Sequence, residues 1–303
     1  MTVSQRRRVR SVGCGLLLAA SLACGNAQAA ARIVTLSPHL AELVCAVGAC
    51  SQLVGVSARS DYPAQVRSIA QIGDAFAVNL EVILSLHPDL VLAWDGGTPP
   101  DRVARLRALG LRVELVSARK LDDVGTALQQ VGTWTGSGEI AKQAAQDYRA
   151  RLAALRARWR NASPIRVVYQ IETAPAYSIN RDSPISEVIS VCGGVNVFAA
   201  LSTIAAPVSA EAMLAAAPDV VLYGGEENSH AIWAYWHRLS SSTVARNDTL
   251  YAVNADWLGR ATPRLLDGVD EVCHALDQAR ERLAVQAREH SERSAPRAAT
   301  EPN

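Results

Sequence analysis

Residues 79–92 and 209–222 carry one pattern twice, and a chain that repeats itself in this way is committed to two halves of similar plan. Asn79-Leu80-Glu81 answers to Ser209-Ala210-Glu211, and Pro88-Asp89-Leu90-Val91-Leu92 to Pro218-Asp219-Val220-Val221-Leu222, at a constant offset (211 − 81 and 218 − 88 both give 130). Each copy runs on to a glycine pair, Gly96-Gly97 and Gly224-Gly225. Between the copies, residues 137–160 read as one long charged helix. Ile140, Ala144, Tyr148, Leu152, Leu155 and Trp159 give it a single apolar stripe, with Arg149, Arg151, Arg156 and Arg158 on the other faces. Ser137 is the expected cap, and Pro164 ends the segment by disfavouring helix at the residue before it. At 1.5 Å per residue such a helix is roughly 33 Å long, enough to lie across two bodies.

Around this strut, apolar strand patterns alternate with helical ones. Strands are expected at 32–36, 53–57, 90–94, 111–116, 166–170, 220–223 and 250–253, and helices at 38–48, 79–86, 101–109, 122–132, 185–192, 209–216, 232–239 and 263–283. Alternation of this kind means parallel sheets covered on both faces. The expected class is therefore α/β, two Rossmann-like lobes of parallel sheet flanked by helices and joined by a single long backbone helix. The expected divisions are a leader at 1–30, a first lobe at 31–136, the linking helix at 137–161, a second lobe at 162–283 and a disordered polar tail at 284–303. Two lobes place a cleft between them, where the ends of parallel strands bind ligands.

The leader carries Arg6, Arg7, Arg8 and Arg10, then an apolar run too short to span a bilayer, then the small-x-small pattern Ala27-Gln28-Ala29. It predicts export to the periplasm. Ser21-Leu22-Ala23-Cys24 is also similar to a lipoprotein cleavage box, and lipid anchoring at Cys24 is the lesser expectation because no Leu stands three residues before the cysteine. Cleavage leaves Cys45, Cys50, Cys192 and Cys273, hence two disulfides in an oxidising compartment. Three pairings are open, and the nearness of Cys45 to Cys50 favours that local bridge with Cys192–Cys273 as the long one. A formal charge of +1 gives no nucleic-acid footprint.

The sequence has no phosphate loop, no nucleophile elbow and no His-Glu-x-x-His, and its histidines are scattered, so no catalytic residue, metal site or cofactor is expected. Aromatics instead follow the strands: Tyr62 in Ser60-Asp61-Tyr62-Pro63, Trp94 before Asp95-Gly96-Gly97, Tyr177, and Trp257 in Asp256-Trp257-Leu258-Gly259-Arg260. Flat rings with few charges suit a large planar ligand, although any one of them could simply pack its own loop. Glu81 and Glu211 occupy matched first turns. A carboxylate there is stabilised by the helix dipole, and the same solution in both lobes also suits docking on arginines of a partner.

These residues resemble the periplasmic cobalamin-binding proteins of ABC importers, solute-binding proteins with a single helical linker. The resemblance runs from about Arg32 to Gln278 and is carried by Val34-Thr35-Leu36-Ser37-Pro38, Ser60-Asp61-Tyr62-Pro63, Asn79-Leu80-Glu81, Pro88-Asp89-Leu90-Val91, Ala93-Trp94, Gly96-Gly97, Val191-Cys192-Gly193-Gly194, Asp256-Trp257, Arg260 and Thr262-Pro263-Arg264. It implies a monomer that captures cobalamin or a related corrinoid as cargo and hands it to the permease subunits of an importer. Tyr62 and Trp94 would line the site from the first lobe, and Tyr177, Asp256, Trp257 and Arg260 from the second. Glu81 and Glu211 match the acids that engage the membrane subunits, and Cys192 with Cys273 matches the family's disulfide. Two family tryptophans are absent. Phe76 is the expected substitute for one, and Ile204-Ala205-Ala206-Pro207 stands in place of the other. Two other readings are a heme- or siderophore-binding relative, with His39 or Tyr62 as the axial ligand, and a two-domain hydrolase or metalloenzyme with acids or histidines converging in the cleft.

Overall fold

A computed structural model describes residues 29–74, 77–225 and 229–294; residues 1–28 of the expected leader, Phe76 and residues 295–303 lie outside them. The first half comprises β1 (Ile33–Thr35), α1 (Pro38–Ala46), β2 (Leu53–Val56), β3 (Ala70–Gln71), α2 (Leu80–Ser85), β4 (Leu90–Trp94), α3 (Pro100–Ala108), β5 (Val113–Val116) and α4 (Asp123–Thr135). The backbone helix α5 (Gly138–Trp159) follows. Then come β6 (Ile165–Gln170), β7 (Tyr177–Ile179), α6 (Pro184–Val191), β8 (Gly194–Asn196), β9 (Ala205–Pro207), α7 (Ala210–Ala215), β10 (Val220–Gly224), α8 (Ser229–Arg238), α9 (Thr243–Asn247), β11 (Leu250–Val253), α10 (Ala255–Gly259) and α11 (Leu265–Ser294).

Two parallel sheets result, ordered β3-β2-β1-β4-β5 and β11-β10-β6-β8, with β7 and β9 forming a separate antiparallel pair. The expected α/β class is what folds. The internal repeat is structural as well. Before β1, the Arg32 guanidinium donates to the carbonyls of Leu86 and His87 at the end of α2, while Asp89 accepts the Arg32 backbone N–H at 2.9 Å. At the start of β6, Arg166 does the same to Ala216 and Ala217 at the end of α7, with Asp219 accepting the Arg166 N–H at 2.9 Å. Each lobe thus closes the negative end of its short helix with an arginine from the neighbouring strand.

Helix α5 departs from expectation in its first turns. Ala141 and Ala145 are buried, and Ile140 stands 54% exposed. The cause is a close approach to α4: a Cβ on Gly132 would lie 2.1 Å from that of Ala141, so only small residues fit this seam. Gly136, at φ 73°, turns α4 into α5, and Ser137 makes no side-chain cap. Farther along, Tyr148, Leu152, Leu155 and Trp159 are buried as the stripe predicts. They join one continuous apolar core that includes Leu40 and Val124 from the first half and Val188 and Leu276 from the second. Polar contacts follow the same line. Arg156 pairs with Asp122 at 2.8 Å and with Glu187 at 2.9 Å, and Glu187 also accepts the N–H of Leu121. The strut is thus welded to helices of both lobes, α4 on one side and α6 and α11 on the other.

Both expected bridges form, Cys45–Cys50 and Cys192–Cys273. The closing helix runs past residue 283 to Ser294, so residues 284–294 are helical where disorder was expected. Alanine, arginine, glutamine and glutamate dominate there, and their propensity carries a helix on from a packed start without further core.

Candidate functional site

The carboxyl ends of the strands of both sheets carry the chain segments that meet between the lobes, as open parallel sheets require. From β1 the chain passes through extended Ser37 into α1, whose turns bring up His39 and Glu42. From β2 it passes through Ser57 and Ser60, joined by a 3.2 Å hydrogen bond, to Asp61 and Tyr62. From β11 it passes to Asn254, whose side chain caps α10 by accepting the N–H of Trp257 at 3.0 Å. Helix α10 ends at Arg260, and Thr262-Pro263-Arg264 leads into α11.

These segments close on one another through charge. Arg260 Nη1 donates to Glu42 Oε1 at 2.8 Å and to Asp61 Oδ1 at 2.6 Å, and its Nη2 to Asp256 Oδ1 at 2.9 Å. Arg264 grips Glu42 with two donors, Nε at 3.0 Å and Nη2 at 2.6 Å, and lays its guanidinium 3.8 Å from the centre of the Tyr62 ring. Glu42 is buried. For Asp61, burial would raise the carboxyl pKa, but the hydrogen bond and charge of Arg260 outweigh it and hold the group below its ordinary value.

Trp94 ends β4, 40% exposed, with its ring over the backbone of Gly97: a Cβ there would fall 1.8 Å from it, so any side chain at this position must displace the ring. His39 meets it edge-on, ring centres 5.2 Å apart, and shares a 3.2 Å hydrogen bond with Ser37 through Nδ1. A cavity of about 540 Å³ opens beside Trp94, but its lining comes from residues 94–115 alone, so it is a flank of the first lobe and not the gap.

Burial, reinforced by the positive charge of Arg260, brings His39 down to about 4. It is therefore neutral in the fold, whereas an unfolded imidazole protonates near 6.5. As pH falls, protons bind the unfolded chain first. Stability fully present above about pH 6.5 should be lost progressively toward pH 4, by on the order of 3 kcal/mol. Urea midpoints measured from pH 7 to 4 check this, and His39→Asn should flatten the slope.

Of the sequence-predicted residues, the structure brings Tyr62, Asp256 and Arg260 together, with Trp94 attached through His39. Trp257 is half-buried in α10, in a short helix instead of a loop. Tyr177 opens β7, half-buried, paired with Pro207 of the antiparallel strand β9. Phe76 lies outside the described residues. Glu81 and Glu211 are exposed at the starts of α2 and α7, each behind a working cap from Asn79 or Ser209. A backbone hydrogen bond at its own N–H and a bond from Ser209 hold Glu211 below the usual carboxylate range. Glu42 and Arg264 were missed as site residues. The available signal was a lone acid in the apolar run of α1, since an unpaired carboxylate is almost never buried. Acids do converge here, each on an arginine, and among the described residues no group of His, Cys, Asp and Glu could hold a metal ion.

Residues 33–250 match the model of a family described as periplasmic binding protein. A vitamin B12-binding protein of Vibrio cholerae is 35% identical over 273 residues, taking in 88% of this chain and 97% of that one. Among solved structures, the periplasmic vitamin B12 binding protein BtuF of Vibrio cholerae aligns with a TM-score of 0.77 at 36% identity, over 83% of this chain and 98% of its own. The periplasmic heme-binding protein RhuT from Roseiflexus sp. aligns with a TM-score of 0.73 at 25% identity, over 82% and 98%.

Proposed function

The chain belongs to the periplasmic binding protein family, and on that premise we propose that it captures cobalamin or a related corrinoid between its lobes and delivers it to an ABC importer. Identity of 35% to a vitamin B12-binding protein across 97% of that protein's length carries the reading. The site is consistent with it. Tyr62 and Trp94 form one wall, Asp256, Trp257 and Arg260 belong to the other, and Tyr177 and Phe76 complete the proposed set. No bond is made or broken; affinity comes from burying a broad ring against preformed surfaces. The protein acts in the periplasm as a monomer, and Glu81 and Glu211 dock on basic residues of the permease.

The heme alternative draws on the same fold but needs an axial ligand open to the gap. His39 is 7% exposed, tied to Ser37 and edge-on to Trp94, and one face of Tyr62 is taken by Arg264. Both observations favour a ligand held by its faces and rim over one held by its metal.

Calorimetric titration with cobalamin and hemin side by side tests the reading. Cobalamin should bind and hemin should not. Trp94→Ala and Trp257→Ala should each weaken cobalamin about tenfold or more, the loss of one stacking wall. In vesicles holding the permease, the charge reversals Glu81→Lys and Glu211→Lys should abolish uptake without altering cobalamin affinity. Full affinity in both tryptophan variants sinks the site, and hemin binding with no cobalamin binding sinks the function.

A further inference from the structure

We propose that the floor between the lobes selects its ligand by the charge of the ligand's rim, accepting uncharged amide donors and turning away carboxylates; the inference rests on the corrinoid reading above. The floor sets three carboxylates, Glu42, Asp61 and Asp256, against two guanidiniums, Arg260 and Arg264, which leaves one net negative charge. How these groups are layered matters more than their sum. The side chains of Glu42, Arg260 and Arg264 are 2%, 11% and 19% exposed, whereas those of Asp61 and Asp256 are 43% and 55% exposed. The cations are sunk and the anions surface.

The bonding completes the asymmetry. Both terminal nitrogens of Arg260 are engaged, on Glu42, Asp61, Asp256 and the carbonyl of Arg59. Arg264 directs two donors to Glu42 and its flat face to Tyr62. Two further cations, Arg59 and Arg67, are exposed on the same loop; neither bonds an aspartate side chain, and Arg67 donates to the backbone carbonyl of Asp61. Asp61 and Asp256 each use Oδ1 for Arg260, which leaves their second oxygens to accept from a ligand. A primary amide on a tetrapyrrole rim donates to such an oxygen in a charge-assisted bond. A carboxylate at the same place meets the like charge of both aspartates, while in the buried pair only Nη1 of Arg264 and Nε of Arg260 lack a bonded acceptor. Corrinoids carry amides on the rim and heme carries carboxylates, so this layer separates the two ligand classes bound by proteins of this fold.

The test compares two probes with one ring, dicyanocobinamide with its amide rim and dicyanocobyrinic acid with carboxylates in their place, titrated into the mature protein. The amide form should bind at least about tenfold more tightly at low ionic strength, and the gap should narrow as salt screens the repulsion. Asp61→Asn/Asp256→Asn should narrow it further, through tighter binding of the carboxylate form. Equal affinities overturn the proposal, as does tighter binding of the acid. So does a gap that salt leaves untouched, or one that survives the double substitution in a variant with a normal unfolding curve. Failure of cobinamide and cobalamin alike to bind removes the corrinoid reading instead, so the two failures are told apart.

Discussion

Glu42→Gln should destabilise the fold by about 3 kcal/mol, because it strips the buried carboxylate from two guanidiniums at once. Glu42 is the one member of the floor that both arginines share, at 2.8 Å from Arg260 and 2.6 Å from Arg264. Arg260 keeps Asp61 and Asp256, which limits the loss. Arg264 keeps only the Tyr62 ring among its contacts here, and a cation over a ring does not replace a two-point carboxylate. Urea denaturation measures the change. Removing the stranded cation as well, in Glu42→Gln/Arg264→Met, should recover part of it, since much of the cost is an uncompensated buried charge. A double variant as unstable as the sum of the singles would mean that the two groups act separately.

Loss of the Cys192–Cys273 bridge should rank beside it. The bonded residues lie 81 apart, so the bridge removes far more freedom from the unfolded chain than Cys45–Cys50, whose partners lie five apart. Chain-closure entropy puts the two at about 4 and about 2 kcal/mol respectively. The long bridge ties the end of α6 to α11, both sulfurs wholly buried, whereas the short one spans a turn at the end of α1. Thermal unfolding of Cys192→Ser/Cys273→Ser against Cys45→Ser/Cys50→Ser should reproduce that order. An equal effect would show that neither loop length nor burial of the sulfurs sets their contribution.

The repeat, the alternation of strands and helices and the long helix are legible in the sequence because each is periodic over many residues. Shorter features escape. The antiparallel β7–β9 pair joins three-residue strands, and Gly194 opens β8 although a glycine pair reads as a break. In α5 the stripe was placed through Ile140 and Ala144 on hydropathy; the choice of Ala141 and Ala145 depends on Gly132 of α4 and can be made only in three dimensions. At the site, Tyr62 and Trp94 stand out because loop aromatics are rare in so ring-poor a chain. Glu42 offers only the hint of a lone acid in an apolar run, since its partners Arg260 and Arg264 lie 218 and 222 residues away and nothing in the sequence ties them to it.

The weld of α5 to helices of both lobes has a kinetic consequence. With Arg156 joined to Asp122 and Glu187 and one core running beneath, α5 offers, among the described residues, no loose hinge whose opening must precede entry. Arrival then waits only on diffusion and orientation, and residence time is decided by how firmly the walls hold. Letting go becomes the slow event, and the work of prying the guest loose falls to whatever receives it.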